Sequence, residues 1–256
     1  DLVAAYELPE PLRSAGVKPG TFRDQLLTSH MTPALGLGGP IVKDHVFFYG
    51  STRYFREAKW DRVNKVAAAL PDEIRTGREF FGKITATPTA SHQLTGTYRQ
   101  RPNRVENAGL TSDTSPDVAT TSDNGSRIAT AEWANFMTGS RSFDLRYLFV
   151  DERNEDAPVR NLGYQPAFDP ARLSAMGQYV DPNQANVTVG ASQYTNIQNY
   201  RRHELRGTFS QFFDVGATSH ALKTGAGDEF GEETFNRLAN GWGAIASITQ
   251  SGVPAL

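Results

Sequence analysis

The feature that most constrains this chain is an alternation of apolar and polar side chains between Arg141 and Glu152. One face is apolar except at its two ends, and Leu148 and Val150 make the other face less polar only near its end. Successive side chains of a β-strand point to opposite faces, so a period of two predicts a strand with one apolar face. Arg127 to Met137 is a second such segment, and only residues 138–140 separate the two. A short link that contains glycine predicts a β-hairpin.

The same unit recurs along the chain. We predict about eight strands, paired into hairpins where the link is short. The predicted strands are His45–Arg56, Phe80–Thr87, His92–Arg101, Arg127–Met137, Arg141–Glu152, Asn199–Phe213, His220–Glu229 and Trp242–Gln250.

The connections alternate in length. Short turns at 88–91, 138–140 and 214–219 alternate with longer polar loops that begin at 57, 102, 153 and 230. A structureless connection as long as 153–198 is uncommon in a compact soluble domain, but outer-membrane barrels have long outer loops. The predicted fold is therefore all-β: an antiparallel transmembrane β-barrel with short periplasmic turns and long outer loops.

Composition excludes several other classes of protein. Hydrophobic residues make up 38% of the 256, which suits strands with a single apolar face better than a fully buried parallel sheet. The net charge of -2 argues against nucleic acid as a partner. Because the chain contains no cysteine, a disulfide framework and a thiolate metal site are both excluded.

One stretch resembles a known family. In Gly36 to Tyr49, a Gly-Gly-Pro-Ile segment is followed by a basic residue, an aspartate and an aromatic run. This resembles the junction between plug and barrel in TonB-dependent outer-membrane receptors of the Oar-like group, which often have a carboxypeptidase-regulatory-like domain. Phe81–Ile84, Ser91–Leu94 and Ser219–Gly225 are similar to later strands of that family. The resemblance covers roughly Gly36 to Gly241.

The resemblance implies a 22-stranded barrel closed around an N-terminal plug. It implies that residues 1–44 are the end of the plug and the junction, and that 45–256 are the N-terminal part of the barrel. The sequence has no TonB box, no complete plug and too few strands, so we expect a fragment of a longer chain. The implied partners are the TonB–ExbB–ExbD complex, outer-membrane lipid and a surface lipoprotein, and the implied location is the bacterial outer membrane.

The alternation assigns side chains to two opposite faces of the sheet, one polar and one apolar. Arginines on the polar face would line the lumen and bind an anionic substrate or the carboxylates of the plug; ordinary ion pairs are the alternative interpretation. These candidates are Arg99, Arg146 and Arg206. The residues predicted to face lipid are Leu94, Tyr98, Trp133, Phe143, Leu145, Tyr147, Phe149, Leu205 and Phe209.

Other chemistry has weak support. Asp228, Glu229, Glu232 and Glu233 are candidate calcium ligands by composition, although their spacing matches no EF-hand and a solvated acidic rim is the alternative. No GxSxG motif occurs, no two histidines have metal-ligand spacing, and no phosphate-binding glycine loop precedes a helix. We therefore expect no enzyme activity and no cofactor.

The predicted function is TonB-dependent uptake of a substrate through a plugged barrel, with the ligand captured by the outer loops. Two alternatives belong to other classes. One is a soluble all-β sandwich that binds carbohydrate or protein, in which a second sheet would cover the apolar face. The other is a secreted hydrolase on a β scaffold, for which the sequence offers no catalytic residue.

Overall fold

A computed structural model describes residues 28–163, 177–241, 247–248 and 254–255. These residues form long β-strands and two short 3₁₀ turns, Pro116–Val118 and Pro182–Gln184. The strands are β1 (Thr28–Met31), β2 (Ala34–Val42), β3 (Val46–Lys59), β4 (Arg62–Val63), β5 (Ala69–Leu70), β6 (Glu73–Thr89), β7 (His92–Ala108), β8 (Thr120–Thr138), β9 (Arg141–Pro158), β10 (Tyr179–Asp181), β11 (Val187–Val189), β12 (Tyr194–Val215), β13 (Thr218–Ala239), β14 (Ser247–Ile248) and β15 (Pro254–Ala255). Among the described residues, none lies in a helix with the length and apolar character needed to cross a membrane.

Nine strands make one antiparallel sheet in the order β1-β3-β6-β7-β8-β9-β12-β13, and β2 also pairs with β3. Because β6 occupies one edge of β3, β1 and β2 share the other edge, where they pair with Arg56–Lys59 and with Val46–Arg53. The nine strands therefore fill eight positions. Within the described part of the chain the sheet is open, with β1 and β2 at one edge and β13 at the other.

Connections alternate in length as predicted. The links at 43–45, 90–91, 139–140 and 216–217 lie at one end of the sheet, which we call the short-turn end. The links at 60–72 and 109–119, and the described residues 159–163 and 177–193 of the last link, lie at the opposite end, the long-loop end. The prediction of an antiparallel meander of about eight strands, with short turns at one end and long loops at the other, is confirmed.

Cross-strand register determines which side chains share a face, because directly paired residues project to the same side. Leu94 pairs with Trp133, which pairs with Leu145. Leu205 pairs with Tyr147. The nine side chains that we predicted to face lipid all lie on this one side of the sheet, which we call the apolar face. The side that bears Arg99, Arg146 and Arg206 is the polar face.

No second large sheet covers the apolar face in the part of the chain that the structure describes. Leu94 and Leu205 are 46% and 49% exposed, respectively. A β-sandwich would bury such side chains beneath an opposing sheet, so the sandwich alternative is wrong for this region. The cluster of buried apolar residues lies instead at the long-loop end, where Leu70, Leu110, Val118 and Ala119 pack together.

Several predicted boundaries are wrong. The first predicted strand begins at His45, but the Gly-rich stretch 35–40 lies within β2, so the sheet starts earlier. The polar loop predicted from residue 57 starts later, after β3, and contains the β4–β5 hairpin. Residues 230–239, predicted as a loop, continue β13. Of the eighth predicted strand the structure describes only β14, which pairs with β15. The proposed division into plug and barrel at residue 44 stays a prediction.

Gly77 is expected to tolerate no side chain. It pairs with Phe55 on the polar face, and a Cβ atom there would overlap the Phe55 ring, which is buried and has the Arg101 guanidinium above it. We predict that Gly77→Val lowers the free energy of unfolding by about 1–3 kcal/mol through overpacking, as measured by urea denaturation in detergent.

Gly82→Val is the matched control for Gly77→Val, since Gly82 lies on the same strand and a Cβ there meets nothing within 4 Å. Adding Phe55→Ala to Gly77→Val should restore part of the lost free energy of unfolding, because the ring that the valine overlaps is removed. Equal destabilisation by the two glycine substitutions would contradict the proposed overlap.

Candidate functional site

The polar face brings the three predicted arginines into a wall of alternating charge. Arg146 and Arg206 are directly paired in the β9–β12 register. Like charges opposite each other are destabilising, so each needs an acidic neighbour. Arg146 Nε lies 3.2 Å from Glu132 Oε1, and Arg206 Nη2 lies 3.0 Å from Glu204 Oε1. Both arginine side chains remain more than half exposed.

Arg99 belongs to a tighter group. Glu79 accepts hydrogen bonds from Arg53 at 2.5 Å and from Arg99 at 2.8 Å. Two guanidinium groups therefore converge on one carboxylate, and this Glu79 side chain is only 17% exposed. This group joins β3, β6 and β7, whereas the Arg146–Glu132 pair joins β8 and β9 and the Arg206–Glu204 pair lies within β12.

The wall extends to the edge strand β13. Arg202 Nη1 lies 3.5 Å from Glu229 Oε1, and Arg202 Nη2 lies 3.8 Å from Glu204 Oε2. Taken together, these contacts make the polar face a hydrophilic surface of paired charges that a polar solute can contact. The assignment of Arg99, Arg146 and Arg206 to ligand binding stays a prediction.

The four acidic residues considered for a metal are not brought together. They lie on β13, so consecutive side chains point to opposite faces: Asp228 and Glu232 to the apolar face, Glu229 and Glu233 to the polar face. No group of three or more His, Asp or Glu side chains that could hold a metal ion occurs among the described residues. From the sequence we placed Asp228 and Glu229 at the end of a strand and Glu232 and Glu233 in the loop after it, whereas all four lie on one strand.

The long loops are joined into one layer. Lys65 of the β3–β6 loop donates its backbone N–H to Ser112 O at 2.8 Å, and its Nζ contacts Asp113 Oδ1 at 2.9 Å and Asn186 O at 3.0 Å. Thr188 donates to Asp113 O at 2.8 Å and accepts from Ser115 N at the same distance. Three loops that are distant in sequence thus share backbone hydrogen bonds.

Asn240, which is 3% exposed, ties the last loop to the end of β13. Its Nδ2 donates to Arg160 O at 3.0 Å and to Ser192 O at 2.8 Å, and its Oδ1 accepts from Leu162 N at 2.7 Å. A buried amide that satisfies three backbone groups fixes the path of the chain around it. From the sequence we predicted a loop over 230–241, and nothing in that pattern indicated a structural role for Asn240.

The loops that we expected to capture ligand are shorter than predicted. Pro102 lies within β7, and the loop after this strand spans only 109–119; Arg153 lies within β9, and the next loop spans 159–193. A signal for order was present in the run from Thr111 to Thr114. Such side chains hydrogen-bond to nearby backbone, and Thr114 Oγ1 accepts from Thr111 N at 2.8 Å.

Comparisons with known proteins support the fold. No family model matches the chain, and no curated protein matches it either. The crystal structure of the outer membrane transporter YddB from Escherichia coli is similar, with a TM-score of 0.57 and 13% sequence identity. The match covers 83% of this chain and 30% of that chain, so the chain spans less than a third of the transporter. The open antiparallel sheet therefore has the fold of part of an outer-membrane transporter barrel.

Proposed function

We propose that this chain forms part of the barrel wall of an outer-membrane transporter, with the apolar face in lipid and the polar face toward a water-filled lumen. The transporter-like fold supports this function, and one observation is central to it. The apolar face is apolar only near the short-turn end. On β9 it consists of Phe143 to Phe149, after which Asp151 and Arg153 occupy the same side.

The apolar part of β9 is close in length to a membrane crossing. Phe143 to Phe149 spans seven residues, bounded on the same side by Arg141 and Asp151, and a transmembrane strand takes about 9–11 residues when those at the two interfaces are included. The strand has 18 residues, so the remainder would project beyond the membrane at the long-loop end. The neighbouring strands change character at the same level, because Asp151 pairs with Arg127 on β8 and with Arg201 on β12.

The finer function is also a proposal. We propose that transport is energised by the TonB–ExbB–ExbD complex, that residues 1–44 end a plug domain, and that the protein belongs with the Oar-like receptors. The supporting evidence is the motif from Gly36 to Tyr49 and the similar segments after it. In this mechanism no covalent chemistry takes place in the chain. The joined outer loops, with a surface lipoprotein as a further partner, receive the substrate, and displacement of the plug opens the lumen.

Cysteine labelling tests the proposed placement, and the absence of native cysteine makes single substitutions unambiguous. Positions 144–149 are replaced one at a time in the protein in outer membranes. A water-soluble maleimide is expected to label positions 144, 146 and 148, while a lipid-soluble reagent is expected to label 145, 147 and 149. Labelling of all six positions by the water-soluble reagent would contradict a membrane wall.

The same assay addresses energy coupling. If the plug gates the lumen, water-soluble labelling at Arg146→Cys should slow in cells that lack TonB and in cells whose inner-membrane proton gradient is collapsed. An unchanged rate would contradict TonB coupling while leaving the placement of the wall intact. Labelling at Asp113→Cys, in an outer loop, serves as the control, since the plug does not gate it.

A further inference from the structure

Glycines leave a groove in the apolar face. Gly50 and Gly82 are directly paired, and Gly96 lies on the next strand. The groove has a volume of about 530 Å³, and its lining includes Phe48, Gly82, Ile84, Gly96 and Tyr98. A Cβ atom on Gly82 would meet nothing within 4 Å, so close packing does not require glycine there. The groove is apolar and open to the side that we place in lipid.

A larger cleft lies on the same side of the sheet, nearer the long-loop end. It has a volume of about 1020 Å³, and four of its arginines lie just past the apolar part of the strands. These are Arg78, Arg127, Arg153 and Arg201, and we call this region the arginine cleft. The lining also includes Arg104, so five arginines face four carboxylates, which are Asp123, Asp151, Glu155 and Glu232. Arg153 is paired with Glu155 at 2.5 Å and Arg104 with Asp123 at 2.9 Å, so the excess of one positive charge falls to Arg78, Arg127 and Arg201.

The arginines are only partly neutralised. Asp151 lies 3.9 Å from Arg127 Nη1 and 3.7 Å from Arg201 Nε, both long for ion pairs, and both arginine side chains are more than half exposed. Arg78 is exposed and has no hydrogen-bond or ion-pair partner among the described residues. The cleft can therefore accept an additional anion.

Groove and cleft lie next to each other along the strands, with the exposed Phe80 side chain between them on β6. Arg78 and Gly82 lie on the same face of β6, four residues apart, which is about 13 Å along a strand. On β7, Tyr98 lines the groove and Gln100 lines the cleft. The surface thus presents an apolar slot next to a cationic site, at the level where lipid tails give way to headgroups in the proposed placement.

We propose that the groove and the arginine cleft together bind a phosphate-bearing acyl lipid of the outer leaflet. One acyl chain would lie along Gly82 and Gly96, and the phosphate would be bound by Arg78 and Arg127. Guanidinium groups match phosphate oxygens in two-pronged geometry, and basic pockets at the membrane surface bind anionic headgroups. The inference rests on the proposed function, because it requires the apolar face to contact lipid.

The test uses the purified protein in neutral detergent and three probes: dioctanoyl phosphatidic acid, dioctanoylglycerol and inorganic phosphate. We expect phosphatidic acid to bind at least about tenfold more tightly than either of the others, since only this lipid combines the chain with the charge. Arg78→Gln and Arg127→Gln should each weaken its binding about tenfold. Gly82→Leu should fill the groove and weaken the binding of phosphatidic acid without changing the affinity for inorganic phosphate.

Arg75→Gln is the matched control for Arg78→Gln, because Arg75 is an exposed arginine on the opposite face of the same strand. Unchanged affinity in the Arg78/Arg127 double variant, an equal loss in Arg75→Gln, or no effect of Gly82→Leu would each overturn the lipid site. Insertion into uncharged phosphatidylcholine vesicles separates the two proposals. Insertion without phosphatidic acid binding overturns the lipid site alone, whereas failure to insert overturns the proposed function as well.

Discussion

Leu145→Arg is expected to prevent assembly of the protein in the outer membrane, whereas Leu148→Arg, three residues along the same strand, is expected to assemble normally. Leu145 pairs with Trp133 and Gly207 on the apolar face. An arginine on the lipid side of a barrel costs about 2–4 kcal/mol near the bilayer midplane. Few membrane proteins have stability to spare on that scale, since folded domains are marginally stable.

Leu148 offers a close control, because it has the same side chain at nearly the same depth but lies on the polar face. Its register partners are Thr130 and Glu204. The Glu204 carboxylate, which already accepts from Arg206, can also accept from a new guanidinium at position 148. The measurement is the amount of folded protein in the outer-membrane fraction, detected by protease resistance and by migration before and after heating.

The two leucine substitutions distinguish three arrangements. If only Leu145→Arg lowers the amount of folded protein in the outer membrane, the proposed orientation is supported. If only Leu148→Arg lowers it, the two faces are reversed. An equal decrease with both substitutions would indicate that each side is covered by protein, which would contradict a membrane wall. The pair therefore tests the orientation of the sheet independently of any substrate.

Alternation predicted the strands well only where one face is apolar. Near the short-turn end, Phe143 to Phe149 repeats with a period of two, and this part of the sheet was predicted correctly. Nearer the long-loop end, water would contact both faces, so a hydrophobic pattern is not needed to form the backbone ladder. Residues 103–108, 120–126 and 230–239 are strands of this kind, and all three were predicted as loops.

Strand β2 was missed for a different reason. Glycine and proline normally mark turns, and the segment 35–40 contains four such residues. In the structure β2 is an edge strand, where proline is tolerated. A Cβ on Gly38 would lie 2.9 Å from the Phe48 carbonyl oxygen, and a Cβ on Gly36 would lie 3.0 Å from the Tyr49 hydroxyl. These two glycines permit a close approach to β3.

The polar face was predicted in part. Arg99, Arg146 and Arg206 could be placed opposite the apolar positions because alternation along one strand decides the face of each residue. Their partners Glu79 and Glu132 could not be predicted, since cross-strand neighbours depend on register, and a slip of one residue changes every such pair. Glu204 is different, because it lies on the same strand as Arg206 and two residues away. The joined loops depend on contacts between segments more than 40 residues apart, such as Lys65 with Ser112.

Glu79→Leu is expected to destabilise the sheet by about 2–4 kcal/mol, because it leaves the guanidinium groups of Arg53 and Arg99 side by side without a counter-charge. The Arg53 and Arg99 side chains are 42% and 44% exposed, so water would relieve part of the penalty and keep it below that of a fully buried pair. Urea denaturation of the protein in detergent measures the change as a lower midpoint at an unchanged slope.

Glu132→Leu is the control for Glu79→Leu, since Glu132 is about half exposed and forms one ion pair, with Arg146 at 3.2 Å. Exposed pairs contribute about 0–1 kcal/mol, so its effect should be small. Adding Arg99→Met to Glu79→Leu should recover part of the loss, because one unpaired cation is removed and the two changes are coupled. If Glu79→Leu and Glu132→Leu lower the free energy of unfolding equally, the converging arginines do not hold β3, β6 and β7 together. The stability of this part of the sheet would then come from the backbone hydrogen bonds between its strands.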